Sequence, residues 1–131
     1  MLQETKLRPN EQIVCASVDD YQVYYLNRQK SPGGGIAIGV NKNTESTLIN
    51  EGEDDIEIIS EKIQIDGTPV RTITAYAPQE NAVKDKKDRF WEFLEKEIND
   101  AEIEEEGLIL QMDGNLTCGA KIKMEEYFCN F

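Results

Sequence analysis

Four polar side chains of this sequence stand where apolar, strand-like segments come to an end. They are Glu4, Tyr76, Asp113 and Asn115. Open α/β sheets hold their ligands at the carboxyl ends of strands, so residues far apart in the sequence can converge there. Two carboxylates, an amide and a phenol hydroxyl gathered at one edge would suit a hard divalent cation and a phosphodiester.

Each of these residues also has an ordinary structural interpretation. Asp113-Gly114 after a strand is a turn signal, Tyr76 can be a core tyrosine at a strand end, and Glu4 can belong to an exposed terminus. Their order along the chain, rather than any single residue, supports a functional interpretation.

The elements that would position these residues follow from the apolar pattern. Strands are predicted at 21–27, 36–40, 56–65, 70–76 and 107–112, the last being typical of the centre of a sheet. Asp66-Gly67 predicts a hairpin turn, and Pro78 ends the strand before it. The polar, acidic segment 44–55 is predicted to be a loop. The glycines at 33–35 predict a turn or bulge, because no Gly-Lys-Ser/Thr phosphate-loop sequence follows them.

One helix is predicted after Asn81, which can cap it. Residues recur on one stripe at steps of three and four, and this stripe is expected to contact the core. It consists of Val83, Lys87, Phe90, Trp91, Leu94, Ile98 and Ala101. The segment 102–107 is expected to end the helix. The order of elements predicts one α/β or α+β domain over 1–131, layered and mixed in strand direction.

Charge and composition restrict the partners. The 131 residues carry a formal net charge of −12, which disfavours tight, sequence-independent binding to DNA. The acidic stretches 51–57 and 95–106 are expected to be solvated surface. Lys6 and Arg8 flank Glu4 and could contact phosphate. No apolar run is long enough for a membrane span.

The cysteines suggest a compartment and no chemistry. Cys15, Cys118 and Cys129 match no zinc or redox spacing, and the start of the chain lacks the pattern of an export signal. Free thiols in a reducing compartment, the cytoplasm or the nucleus, are therefore expected. The role of the three thiols stays open.

The series of motifs resembles a known superfamily. The chain contains, in this order, Gln-Glu-Thr-Lys at 3–6, Gly-Gly-Gly-Ile-Ala-Ile at 33–38, Ile-Thr-Ala-Tyr-Ala-Pro at 73–78, a helix, and an apolar strand that runs into Asp-Gly-Asn at 113–115. Together they resemble the endonuclease/exonuclease/phosphatase superfamily, whose members include DNase I and the AP endonucleases. The resemblance covers about 2–119 and is strongest to the endonuclease domain of LINE-type non-LTR retrotransposons.

This resemblance implies a fold and a chemistry. The fold would be part of a DNase I-like four-layer α/β/β/α sandwich with mixed, largely antiparallel sheets. The activity would be Mg²⁺-dependent phosphodiester cleavage, with Mn²⁺ as an alternative metal. Glu4 would bind the metal, and Asp113 would orient or deprotonate the attacking water. Asn115 and Tyr76 would support the scissile phosphate.

The sequence also departs from the family pattern. Gly-Asp-Phe-Asn becomes Met-Asp-Gly-Asn at 112–115, and the chain contains no histidine, although the family uses one to help bind the phosphate. The family's N-terminal strand and its C-terminal, histidine-bearing part would lie outside 1–131. The resemblance therefore implies a partial domain, with weak activity or none, whose uncovered strands are expected to pair with a second copy or another protein.

Three functions follow from these observations. The first is a Mg²⁺-dependent endonuclease-like module of retroelement origin. The second is a catalytically dead remnant that acts as an interaction or structural protein through its uncovered strands. A phosphatase-type member of the same superfamily is a weaker third.

Overall fold

The computed structural model describes residues 2–3, 20–28 and 33–113. These residues form seven strands and one helix. In chain order the elements are β1 (Leu2–Gln3), β2 (Tyr21–Leu26), β3 (Ile36–Asn41), β4 (Ser46–Glu51), β5 (Ile58–Ile65), β6 (Thr68–Tyr76), α1 (Lys84–Ile103) and β7 (Gly107–Asp113). The predicted mixture of strands with one helix is confirmed.

The described strands form two sheets. The order is β1-β3-β2 in one sheet, with antiparallel pairs, and β4-β5-β6-β7 in the other. The second sheet is antiparallel except for β6 and β7, which are parallel and are joined through α1. Parallel neighbours need such a crossover because the chain must return to the same end of the sheet. Mixed, largely antiparallel sheets are therefore confirmed for the described part.

Two apolar clusters lie between the three layers of the described structure. Ile36, Ile38 and Ile59 pack between the two sheets, and Ile73 and Phe90 belong to a larger cluster between the four-stranded sheet and α1. Alternation along β6 explains the division, because successive side chains point to opposite faces of a sheet. The described layers are sheet, sheet and helix, which are three of the four layers that the resemblance implies.

The helix differs from the prediction at its start. It begins at Lys84, and Val83 occupies the cap position without a side-chain hydrogen bond, so the cap predicted at Asn81 is wrong. Val83 is 69% exposed rather than in contact with the core. The later stripe is confirmed, because Phe90, Leu94 and Ala101 are buried. No described helix is long and apolar enough to span a membrane.

One prediction about strands is also wrong. The segment predicted as an acidic loop contains β4, which pairs antiparallel with β5 and has a register shift between Leu48 and Asn50. The sequence pattern did not reveal β4, because an edge strand that is half exposed needs no continuous apolar face. Among the described strands β7 has β6 as its neighbour, and its predicted place at the centre of a sheet stays a prediction. The hairpin turn is confirmed, with φ of 50° at Asp66 and 77° at Gly67.

The acidic stretches are not uniformly solvated. Glu57 and Glu97 are 3% and 1% exposed, and the side chain of Glu106 is 1% exposed. The carboxylate of Glu57 forms an ion pair with Arg28, and those of Glu97 and Glu106 form ion pairs with Arg71. The expectation of solvated surface is therefore wrong at these positions, because the pattern of acidic letters does not reveal a cationic partner elsewhere in the chain.

Candidate functional site

Several strand ends meet at one end of the sandwich. Leu26 pairs with Ile36, where β2 ends and β3 begins. In the other sheet β5 begins where β6 ends, and Tyr76 at the end of β6 is in register with Asp113 at the end of β7. β1 leaves the first sheet at this same end, since Gln3 pairs with Ile36.

Tyr76 and Asp113 are neighbours on parallel strands. The N–H of Ala77 donates to the carbonyl of Asp113 at 2.9 Å, which extends the ladder one step beyond the strands. Directly opposed residues present their side chains on the same face, and Tyr76 packs against the inter-sheet cluster. Tyr76 is half-buried, and Asp113 is exposed. Two of the predicted site residues are thus brought together, while their chemical roles stay predictions.

Glu57 completes this row and was not anticipated from the sequence. Its carbonyl accepts the N–H of Tyr76 at 2.9 Å, which places Glu57 on the far side of Tyr76 from Asp113. Its carboxylate accepts hydrogen bonds from Arg28 Nη2 at 2.5 Å and from the N–H of Gly35. Alternation with Ile56 and Ile58, which pack on the helix side, puts Glu57 on the opposite face, and only the stacking of the other sheet buries that face.

The glycines at 33–35 hold this buried ion pair. All three have positive φ, of 82°, 68° and 90°, as the predicted turn requires. The structure adds a second reason at Gly34, because a Cβ there would lie 2.5 Å from Arg28 Cζ and 2.6 Å from Glu57 Oε1. The backbone at 33–35 therefore packs directly against the Arg28–Glu57 ion pair, and this contact holds the end of the first sheet against the second.

Gly34→Ala is expected to destabilise the protein by about 2–3 kcal/mol, because it adds a clash with the ion pair to the strain of positive φ. The matched control is Gly33→Ala, where φ is 82° but nothing lies within 4 Å of the added Cβ. The control should cost only the strain, about 1 kcal/mol. Urea unfolding of both variants measures the difference, and equal losses would contradict the packing argument.

The remaining predicted site residues cannot be compared with the geometry. Glu4, Lys6, Arg8 and Asn115 lie outside the described residues. Within 2–3, 20–28 and 33–113, no group of three His, Cys, Asp or Glu side chains could hold a metal ion. Of the two carboxylates in the row with Tyr76, Glu57 is bonded to Arg28 and Gly35, and Asp113 is exposed.

Comparisons with known proteins add one structural similarity. No protein-family model and no curated protein matches the sequence. Among solved structures, the chain is similar to the crystal structure of humanized D. rerio TDP2 carrying 14 mutations, with a TM-score of 0.47 and 10% identity. TDP2 belongs to the endonuclease/exonuclease/phosphatase superfamily.

The extent of that similarity is limited. It covers 84% of this chain and 45% of the TDP2 chain, so the chain spans less than half of that structure. It carries no argument about substrate or mechanism, and it does not bear on a LINE-type origin.

Proposed function

We propose that this chain is a Mg²⁺-dependent, phosphodiester-cleaving module of the endonuclease/exonuclease/phosphatase type, of retroelement origin, which cleaves DNA slowly as an isolated chain. The observation that supports it is the pairing of Tyr76 with Asp113 at the ends of two parallel strands. A carboxylate and a phenol side by side at such an edge can act on one phosphate group.

Each residue has a defined task in this proposal. The carboxylate of Asp113 accepts a hydrogen bond from the attacking water and takes its proton, while the hydroxyl of Tyr76 donates to a phosphate oxygen. Asn115 holds a second phosphate oxygen, and Lys6 and Arg8 contact the flanking backbone. Phosphoryl transfer depends mainly on such positioning and charge stabilisation, because it requires no covalent help from the protein.

The proposed metal site needs a carboxylate from outside the described residues. Asp113 is the exposed carboxylate of this row, whereas the buried carboxylate of Glu57 binds Arg28 and Gly35. One carboxylate among the described residues does not fit Mg²⁺ by itself. Glu4 is the proposed second ligand, and Mg²⁺, when bound, would stabilise the charge that develops on the phosphate.

Slow cleavage follows from two properties of the sequence. The chain has no histidine, so a neutral-pH proton donor common in such sites is missing. The formal net charge of −12 also repels DNA, so the chain should bind DNA only weakly. This binding should depend little on counterion release from basic side chains.

Nicking of supercoiled plasmid tests the proposal. With the protein in excess and Mg²⁺ present, the wild-type chain should convert supercoiled to open-circular DNA, and EDTA should stop the conversion. Asp113→Asn should reduce nicking by about 10²-fold or more, to the EDTA background, and Tyr76→Phe by about 10-fold.

The matched control is Asp100→Asn. Asp100 lies on α1 and pairs with Lys96 at the helix surface, away from the strand ends. This variant should nick at the wild-type rate. The loss of nicking in Asp113→Asn, purified in the same way, would then exclude a contaminating nuclease as the source of activity. Mg²⁺-dependent nicking that survives Asp113→Asn, or a wild-type chain without such nicking, would overturn the proposal.

A second function is supported by the edge of the four-stranded sheet. β4 is the terminal strand of the described sheet, and Leu48 and Ile49 are each 40% exposed on it. An exposed apolar edge strand can accept a strand from a second copy or from another protein. If Mg²⁺ has no effect and light scattering shows a stable complex, the chain is an interaction protein rather than a nuclease.

A further inference from the structure

β2 is a terminal strand among those described, and it lacks the usual protection of a sheet edge. Its described neighbour is β3, and its other side faces no described strand. Natural edge strands are protected from pairing with other chains by charged side chains, proline or bulges. β2 has no charged residue and no proline over 21–26, and it pairs with β3 without a register shift. β4, a terminal strand of the other described sheet, contains Glu51 and a register shift between Leu48 and Asn50.

The backbone groups of β2 point alternately towards β3 and away from it. The N–H of Lys42 donates to the carbonyl of Asp20 at 2.7 Å, so these two residues form a hydrogen-bonded pair at the start of the ladder. In an antiparallel pair every second residue belongs to such a pair. The even-numbered residues of β2 therefore turn their N–H and C=O groups towards β3. The groups that point to the open side belong to Tyr21, Val23 and Tyr25.

The same three residues form a row on the outer face of the first sheet. Tyr24 and Leu26 pack against the inter-sheet cluster, so the odd-numbered side chains face the other way. Tyr21 and Tyr25 are 43% and 37% exposed, and Val23 between them is half-buried. β2 thus offers outward backbone groups and exposed aromatic side chains at the same positions.

This pattern is complementary to a second copy of itself. When two β2 strands run antiparallel about a twofold axis at Val23, Val23 lies opposite its own counterpart and Tyr21 lies opposite Tyr25 of the second copy. Each outward N–H then meets an outward C=O, and each opposed pair exchanges both of its hydrogen bonds. Tyrosine faces tyrosine and valine faces valine, and aromatic and β-branched cross-strand pairs stabilise antiparallel strands.

The charge of β2 also suits contact between two copies. The formal net charge of −12 makes identical chains repel each other over most of their surface. β2 itself is uncharged, and in this register Asp20, which precedes it, lies opposite Leu26 of the second copy rather than opposite a carboxylate. The hydroxyl of Tyr24 lies 3.0 Å from Oγ of Ser46, which holds β2 on the second sheet, so pairing requires little further ordering of the strand.

We propose that the chain forms a homodimer in which β2 pairs antiparallel with β2 of a second copy about a twofold axis at Val23. The paired strands run in opposite directions, so the two Tyr76–Asp113 edges, each at the Leu26 end of its own β2, lie at opposite ends of the dimer. The dimer therefore does not depend on phosphodiester cleavage. One short strand pair with partly exposed tyrosines buries less than a standard interface, so a Kd of about 50 µM is expected.

Sedimentation velocity over a range of protein concentration tests the dimer. The range is about 5 µM to about 500 µM, which extends tenfold to either side of the expected Kd. NaCl at about 0.15 M screens the repulsion between the copies. The weight-average mass should rise from that of one chain towards that of two. The mass of one chain at every concentration would overturn the proposal, and would mean that another part of the chain or another protein occupies the edge of β2.

Variants of Val23 locate the interface. Val23→Glu should raise the Kd about 10-fold or more, because two carboxylates would face each other at the axis. Val23→Pro should have the same effect while keeping the fold, because it removes an N–H that points away from β3. Far-UV circular dichroism checks that both variants are folded.

The matched control is Val83→Glu, which adds the same charge at a valine that is 69% exposed before α1. It should dimerise with the wild-type Kd, as should Asp113→Asn, which keeps the result independent of any nuclease activity. A dimer that persists in both Val23 variants, or one that Val83→Glu weakens equally, would overturn the proposal and place the contact on another surface.

Discussion

Arg71→Ala is expected to destabilise the protein by about 3–5 kcal/mol, the largest effect of any single substitution considered for this chain. Arg71 is 1% exposed, and its guanidinium donates from Nε to Glu106 at 2.8 Å and from Nη1 to Glu97 at 3.2 Å. Removing it leaves two carboxylates buried between α1 and the sheet without their main cation. Guanidinium chloride unfolding at pH 7 measures the loss.

The network around Arg71 explains why neighbouring residues cannot compensate for its removal. Glu97 also accepts a hydrogen bond from Asn50 of β4 at 2.8 Å, and Lys62 of β5 pairs with Glu106. The network thus ties α1 and the segment that follows it to three strands. Burial opposes ionisation of Glu106, but hydrogen bonds from Lys62 and Arg71 lower its pKa below the ordinary value. The stabilisation from this carboxyl is present above its unfolded pKa and is lost as pH falls through the folded one.

Two comparisons separate this mechanism from simple loss of packing. Arg89→Ala removes an arginine that is 42% exposed and pairs with Asp85, and it should cost less than about 1 kcal/mol. Adding Glu97→Gln to Arg71→Ala should restore part of the stability, because one stranded charge disappears. If the double variant is as unstable as Arg71→Ala plus Glu97→Gln added independently, stranded charge is not the cause.

The sequence predicted the elements better than it predicted the buried charges. Alternation and apolar runs located the strands around Ile38, Ile59 and Ile73, since their spacing directly records which face is covered. The same reasoning missed β4, because an edge strand has no continuous apolar face. It also treated Glu57 and Glu97 as surface, since burial of an acid depends on an arginine that is distant in the sequence.

The candidate site was predictable to a different extent. Tyr76 and Asp113 could be placed together because both end strands that were predicted from apolar pattern, and parallel neighbours end at the same edge. Glu57 and the Arg28–Gly34 contact could not, because they depend on how the two sheets stack. Periodicity within one strand contains no information on which residues of a second sheet will lie opposite.

Glu61→Gln is expected to stabilise the protein at pH 8 while leaving it nearly unchanged at pH 5. Burial raises the pKa of Glu61 from 4.5 to about 7, and the positive charge of the N-terminal amine offsets only part of the lost hydration. Thr72 and Leu48, the residues opposite it on the neighbouring strands, carry no charge. Glutamine keeps the shape of the protonated acid and cannot ionise.

The sign of the pH dependence follows from proton binding. Below pH 4.5 both the folded and the unfolded chain hold the proton on Glu61, so its ionisation does not affect stability. Between pH 4.5 and about 7 the folded chain keeps a proton that the unfolded chain releases, so stability falls as pH rises. Above this range the loss is complete, at about 3 kcal/mol for a shift of this size.

Urea unfolding from pH 5 to pH 8 measures this effect. The wild-type chain should lose stability across this range, and Glu61→Gln should lose about 3 kcal/mol less. The control Glu92→Gln, at an exposed position of α1, should follow the wild-type curve. Parallel curves for wild type and Glu61→Gln would mean that the carboxyl of Glu61 ionises normally inside the fold, and that water or a rearranged side chain reaches it between the sheets.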